Sequence, residues 1–284
     1  MLPSPLMLLH AGATLGPSSF SVHASTVIGI IVLATLYTWR ARVGEREGHV
    51  LGRGKPSLLA TTLLTLFLSL NGWLHDLSDY YLFSAHMVQH LLLALVVAPL
   101  LIMATPGWML RPALAARAVA STARWVTNPL HSFAIFNVVL AAWHLPPLYN
   151  LALASHPLHI AQHLMLLVAA VLMWWPILSP LPELPRLAYP IQMLYLFLMS
   201  IPMSIVSVYI AYADSVLYPA YAAAPRIWGI SPMQDQLIGA LIMWIPGGLF
   251  FFAVISVIFL RWQQRDGDET VAGAQLGAHL PVSR

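Results

Sequence analysis

The chain has 284 residues, 59% of them hydrophobic and 8% charged, and a mean hydropathy of +0.77. Soluble domains carry about 25% charged residues, so the composition excludes an ordinary water-soluble protein and describes a chain held in a lipid bilayer. The absence of cysteine rules out disulfides, thiolate metal sites and thiol nucleophiles. The pI of about 9.3 is read as basic loops that set membrane topology, with no nucleic-acid partner expected.

Residues 1–21 are apolar but broken by Pro3, Pro5, Gly12, Gly16 and Pro17. No basic n-region precedes Leu6–Leu9, which argues against a cleaved signal peptide, and the segment reads as a short non-cytoplasmic leader. The membrane domain is read over residues 22–260. A first span, 22–39, ends in Arg40, Arg42, Arg46, Arg53 and Lys55. A second, 56–73, returns to His75, Asp76 and Asp79, with both acids expected in water. The third, 84–104, carries His86 and His90 at its start. Residues 106–126 hold Arg111, Arg117 and Arg124 and stay on the basic side. The fourth span, 129–145, leads to His144 and Tyr149. The fifth, 157–178, opens on His159 and His163 and closes on Trp174-Trp175 as an interfacial anchor. The sixth is 189–212, with Met199 and Met203 around Pro202. A Tyr-, Ala- and Pro-rich loop over 213–232 is placed to cap a site or dock a partner. The seventh span is 233–260, and residues 261–284 form a cytoplasmic tail.

The fold class is therefore all-α: a polytopic seven-helix bundle, N-terminus out and C-terminus in. Of the 13 Lys and Arg, only Arg226 then falls outside and twelve fall inside. The inverted topology would put those twelve outside, against the positive-inside rule.

This topology gathers His75, His86, His90, His144, His156, His159 and His163 at the outer membrane level. Four residues of helix rise about 6 Å, so His86/His90 and His159/His163 each share one helix face. A lone histidine in a span is commonly interhelical glue. Two such pairs at one level point instead to a metal site, since neutral imidazole is a metal ligand. Copper is the first candidate, with zinc or haem iron as alternatives. Met87, Met199, Met203 and Met233 offer thioether sulfur for copper(I). Asp235-Gln236, just inside the last span beside Met233, reads as a direct ligand or as a group orienting a histidine, because an acid there is costly without a partner. Asn137 reads as a helix–helix hydrogen bond. Neither Gly-x-Ser-x-Gly nor a phosphate loop occurs, which removes the motif support for a serine hydrolase or a nucleotide-binding ATPase.

The ordered set His86-x-x-x-His90, Pro106, Trp143-His144, Tyr149, His159-x-x-x-His163, Trp174-Trp175-Pro176, Tyr218-Pro219, Asp235-Gln236 and Met243-Trp244 resembles the membrane-integral CtaG family of cytochrome c oxidase assembly factors over roughly residues 56–260. The pair Gly239-Ala240 stands where a small-residue pair is expected. The resemblance implies a non-enzymatic role in maturing a haem-copper oxidase, with an oxidase subunit as partner, in the bacterial cytoplasmic (inner) membrane. It implies His86, His90, His144, His159 and His163 as metal ligands, with Asp235 and Gln236 behind them. His75, His156 and Met233 are further candidates from the residue reading. A haem-binding electron carrier and a zinc-dependent membrane hydrolase using Asp76 or Asp79 remain the rival classes.

Overall fold

A computed structural model describes residues 20–278. Most of the leader read over residues 1–21, with His10, and the end of the tail, with His279, lie outside the described residues. Among the described residues the regular elements are helices. In chain order they are α1 (Ala24–Arg46), α2 (Lys55–Leu70), α3 (Gly72–Tyr80) and α4 (Phe83–Leu91). A π-helical turn, Leu92–Val97, leads into α5 (Ala98–Ala104). Next come α6 (Gly107–Leu110), a 3-10 turn (Arg111–Ala115), α7 (Arg117–Val126), α8 (Pro129–His144) and α9 (Pro146–Ala154). The chain closes with α10 (His156–Leu178), α11 (Tyr189–Ala211), α12 (Pro219–Ala223) and α13 (Pro232–Ala278).

Proline marks the first turn of α2, α8, α9, α10, α11 and α12, where its missing N–H costs nothing. Six helical stretches are long and apolar enough to cross a membrane: Ala24–Arg46, Lys55–Tyr80, Phe83–Ala104, His156–Leu178, Tyr189–Ala211 and Pro232–Asp266. The expected fourth span is a bent pair. Helix α8 has 16 residues, about 24 Å against a hydrocarbon core of about 30 Å. The chain then turns by 72° into α9. The protein is thus a multi-pass helical membrane protein, with six candidate spans among the described residues, or seven if the bent pair counts as one.

Helix α13 lies along α11 and against α4, and α10 lies along α8 and against the π turn and α5. Gly239 allows the approach of α13 to α4, since a Cβ there would come within 2.4 Å of the Phe83 ring. Asn137 joins α8 to α11 as expected, its Nδ2 donating to Met199 Sδ at 3.3 Å. Around Pro202, the hydroxyls of Ser200, Ser204 and Ser207 return to their own helix's carbonyls, which is how a broken helix re-satisfies its polar groups in lipid.

Several local expectations are corrected. Trp174 is no interfacial anchor. It is 1% exposed and donates its indole N–H to the Ala94 carbonyl at 2.8 Å. That carbonyl lies in the π turn, whose altered hydrogen-bond ladder makes room for the contact. The second span does not open into a solvated loop either. The chain breaks at Asn71-Gly72, with Gly72 at φ +64°, and resumes as α3. The segment ahead of α1 folds across the break. Gly72 N–H donates to Ser21 O at 2.7 Å, and His23 N–H donates to Asn71 Oδ1 at 2.7 Å. Asp76 accepts Ser21 N–H at 3.2 Å and the Ser21 hydroxyl, and is 3% exposed. Asp79 is mostly enclosed as well. Finally, the helix runs on through the start of the expected tail to Ala278.

The two ends of the bundle differ in chemistry. At one end Arg40 reaches Trp108 O at 3.3 Å, Lys55 reaches Met103 O at 2.5 Å, and Arg111 pairs with Glu183 at 2.7 Å. Arg111 holds the Glu183 carboxyl below its ordinary range, after a larger contribution from its own backbone N–H. The histidine-bearing helix ends meet at the other end.

Candidate metal centre

Helix α4 supplies His86 and His90, and α10 supplies His159 and His163. The i,i+4 spacing does in each helix what the geometry demands: Nε2 of His86 lies 2.8 Å from Nε2 of His90, and Nε2 of His159 lies 2.8 Å from Nε2 of His163. The pairs then face each other. His86 stacks on His159 with ring centroids 5.3 Å apart and lies 5.2 Å from His163. His90 lies 5.3 Å from His163 and 5.4 Å from His144. One nitrogen each from His86, His159 and His163 falls within 4.8 Å of the others. All five residues are buried.

His144, the last residue of α8, directs Nδ1 to the Leu140 carbonyl at 2.6 Å. A carbonyl only accepts, so Nδ1 carries the proton and Nε2 keeps its lone pair. That Nε2 is buried without a hydrogen-bond partner.

The loop between α11 and α13 closes over this cluster. Tyr218 O–H donates to His144 O at 2.9 Å. Tyr221 O–H donates to Ser78 O at 2.8 Å and lies 3.4 Å from His86 Nδ1. Burial holds both phenols above their ordinary range, so they act as neutral donors. Tyr149 is fully buried beneath them, its ring 5.3 Å from His86 and 4.2 Å from Tyr218.

The residues expected behind the ligands take different places. Asp235 does not orient a histidine. Its Oδ2 accepts Phe83 N–H at 2.7 Å, and its Oδ1 accepts Ser84 N–H at 3.0 Å and the Ser84 hydroxyl at 2.5 Å. These are the first residues of α4, whose N-cap Leu82 has no capping side chain. A carboxylate from α13 therefore caps the helix that carries His86 and His90. Gln236 accepts Leu217 N–H at 2.7 Å and donates to Ile210 O and Ser215 O at 3.3 Å, tying down the loop. Met233, two residues before Asp235 and so on the opposite helix face, is 38% exposed and does not join the cluster. His75 sits beside it, with Nε2 at 3.3 Å from Asp79 Oδ2 and Nδ1 at 3.1 Å from Gln89 Nε2. His156 is exposed, 6.2 Å from the ring of His23.

The residue reading leaves Asp79 in water, or on zinc in the hydrolase alternative, and gives His23 no role. Asp79 Oδ2 lies 3.7 Å from His159 Nδ1, and the His23 ring meets His75 edge-on at 4.1 Å. The Asn71-Gly72 dipeptide, a turn signal, was the available clue that the helix breaks here, where the segment ahead of α1 packs across it.

Fold and site together define a multi-pass helical membrane protein with a buried imidazole cluster between helices. The chain matches the family model described as cytochrome c oxidase caa3 assembly factor (Caa3_CtaG) over residues 35–265, and it belongs to that family. No curated protein and no solved structure matches it.

Proposed function

We propose that the protein serves the maturation of a haem-copper oxidase in a bacterial cytoplasmic membrane by holding a copper ion for hand-over, through His86, His90, His159 and His163 with His144 beside them. The observation that carries this reading is the convergence of two imidazole pairs from facing helices, each with Nε2···Nε2 at 2.8 Å, in a chain without thiols. A 2.8 Å contact between imidazole nitrogens needs a proton between them. A metal ion can take that proton's place, because the ligating imidazole must be neutral. The shared proton then moves to Nδ1 of the ring that carried it, with no net release from a neutral pair, and binding is expected to weaken as the medium is acidified and the rings protonate.

A small ion suits the packing better than haem. The rings of the two helices lie 5.2–5.3 Å apart, already in contact, with no slot for a macrocycle. Ligand exchange is all the chemistry that hand-over requires, so the role is non-catalytic. The basic end is assigned to the cytoplasm by the positive-inside rule, which puts the histidine end, the N-terminus and the Tyr218/Tyr221 loop outside. That loop is where an oxidase subunit would dock.

The test is oxidase maturation in cells carrying His86→Ala/His90→Ala or His159→Ala/His163→Ala. Both variants should insert normally and leave the oxidase short of its copper. His49→Ala at the other end, where His49 stacks on Trp108 at 5.0 Å, should mature it fully. Normal copper-replete oxidase in both double variants would overturn the reading.

A further inference from the structure

A second group of ligating side chains lies between His159 and the surface. Exposed His156 is 6.2 Å from half-buried His23. His23 meets His75 at 4.1 Å, and His75 stacks on His159 at 6.2 Å. Asp79 Oδ2 stands between the last two, 3.3 Å from His75 Nε2 and 3.7 Å from His159 Nδ1. His159 thus belongs to both groups, with Nδ1 toward the acid and Nε2 toward His163.

His23 is held there by construction. Its own backbone N–H is bound by Asn71, and Ser21 is bound by both Gly72 and Asp76. The Phe20 ring fills the space over Gly72 that a Cβ would occupy. These contacts place a half-buried imidazole over a buried one, at the break between α2 and α3.

We infer that His23, His75 and Asp79 form a ladder of ligands by which copper(I) passes from the surface to the inner histidines, with His159 as the hand-over residue. The inference rests on the copper reading above. Each step makes one bond from the metal to nitrogen or oxygen and breaks one, with no change of oxidation state. Metal–nitrogen bonds of about 2 Å let an ion on one ring reach the next at these spacings through small ring rotations.

The test follows copper(I) uptake, from a soluble copper(I) complex, by the purified full-length protein in detergent. Wild type is compared with His23→Leu and His23→Met. The bond to Asn71 uses the backbone of His23, so both variants keep it; both lose equally the 3.2 Å contact of His23 Nε2 with the Ser21 hydroxyl, and melting temperature checks that the segment stays folded. Leu fills the space but cannot ligate, whereas Met offers a thioether to copper(I). His23→Leu should load about tenfold more slowly, equivalent to about 1.4 kcal/mol of barrier, and reach the wild-type copper content. His23→Met should load near the wild-type rate. Wild-type rates in His23→Leu, with wild-type final content, would overturn the ladder and leave the inner site standing. A wild-type protein that takes up no copper would overturn the site and the ladder together.

Discussion

Asp235 and Ser84, 151 positions apart, are joined twice: one carboxylate oxygen accepts both the backbone N–H of Ser84 at 3.0 Å and its hydroxyl at 2.5 Å. The other oxygen takes Phe83 N–H. One residue of the last helix therefore sets the start of the helix that carries His86 two positions later. Asp235→Asn removes the charge and one acceptor. Caps of this kind contribute about 1 kcal/mol, more when a charge is buried with its donors. The variant should melt lower in detergent and bind copper about tenfold more weakly, in the range seen when groups supporting a ligand are lost. Added copper should rescue oxidase maturation in this variant but not in His86→Ala/His90→Ala. Equal failure to be rescued would mean that Asp235 does more than fix the helix.

Gly239 tests the same contact from the packing side. Its hydrogen faces the Phe83 ring and the Ser84 Cα, 3.2 Å from where a Cβ would sit. Gly239→Ala must push Phe83, which stacks on Tyr218 at 4.8 Å. Overpacking of this kind costs about 1–3 kcal/mol. A lowered melting temperature with weakened copper binding is expected. Gly248→Ala, with open space around its Cβ position, serves as control and should change neither.

Tyr221 links the loop, α3 and His86 through one hydroxyl. Tyr221→Phe keeps the ring and leaves the Ser78 carbonyl without this donor. A lost hydrogen bond in a buried setting costs about 1–3 kcal/mol. The variant should melt lower, and the loop should be cut sooner by added protease than in wild type. Unchanged protease resistance would show that packing, with the Gln236 and Tyr218 hydrogen bonds, holds the loop without the Tyr221 hydroxyl.

Orientation has its own check. A reporter that works only in the cytoplasm, fused after Arg265, should be active. One that works only outside, fused at the same point, should be silent. The reverse result would place the histidine end in the cytoplasm.

How far the sequence carried depended on whether a feature is local. The spans are read from apolar runs, and the pairing of His86 with His90 and of His159 with His163 follows from a helical period of 3.6. Both are properties of one segment. What stayed hidden involves two distant segments meeting. The cap on α4 comes from Asp235, and nothing near Leu82 announces it. Asp76 read as solvated because Ser21, its cover, lies in a different span's approach, and Asp79 because His159, its neighbour, lies on α10. Trp174 next to Trp175 has the composition of an interfacial belt, and only the π turn at Ala94 explains why it faces inward. The 72° bend after His144 was signalled by Pro146 and Pro147, yet a proline pair marks a break without giving its angle.

The central claim is that the two histidine pairs form one copper site. The most direct measurement is the copper content of purified protein after loading and dialysis, for wild type, His86→Ala/His90→Ala and His159→Ala/His163→Ala. A single ion per chain is predicted for wild type and none for either variant, since removing two of about four ligands leaves too few to hold the metal. Wild-type copper retained in both variants, or two ions in wild type with one lost in each, would contradict it.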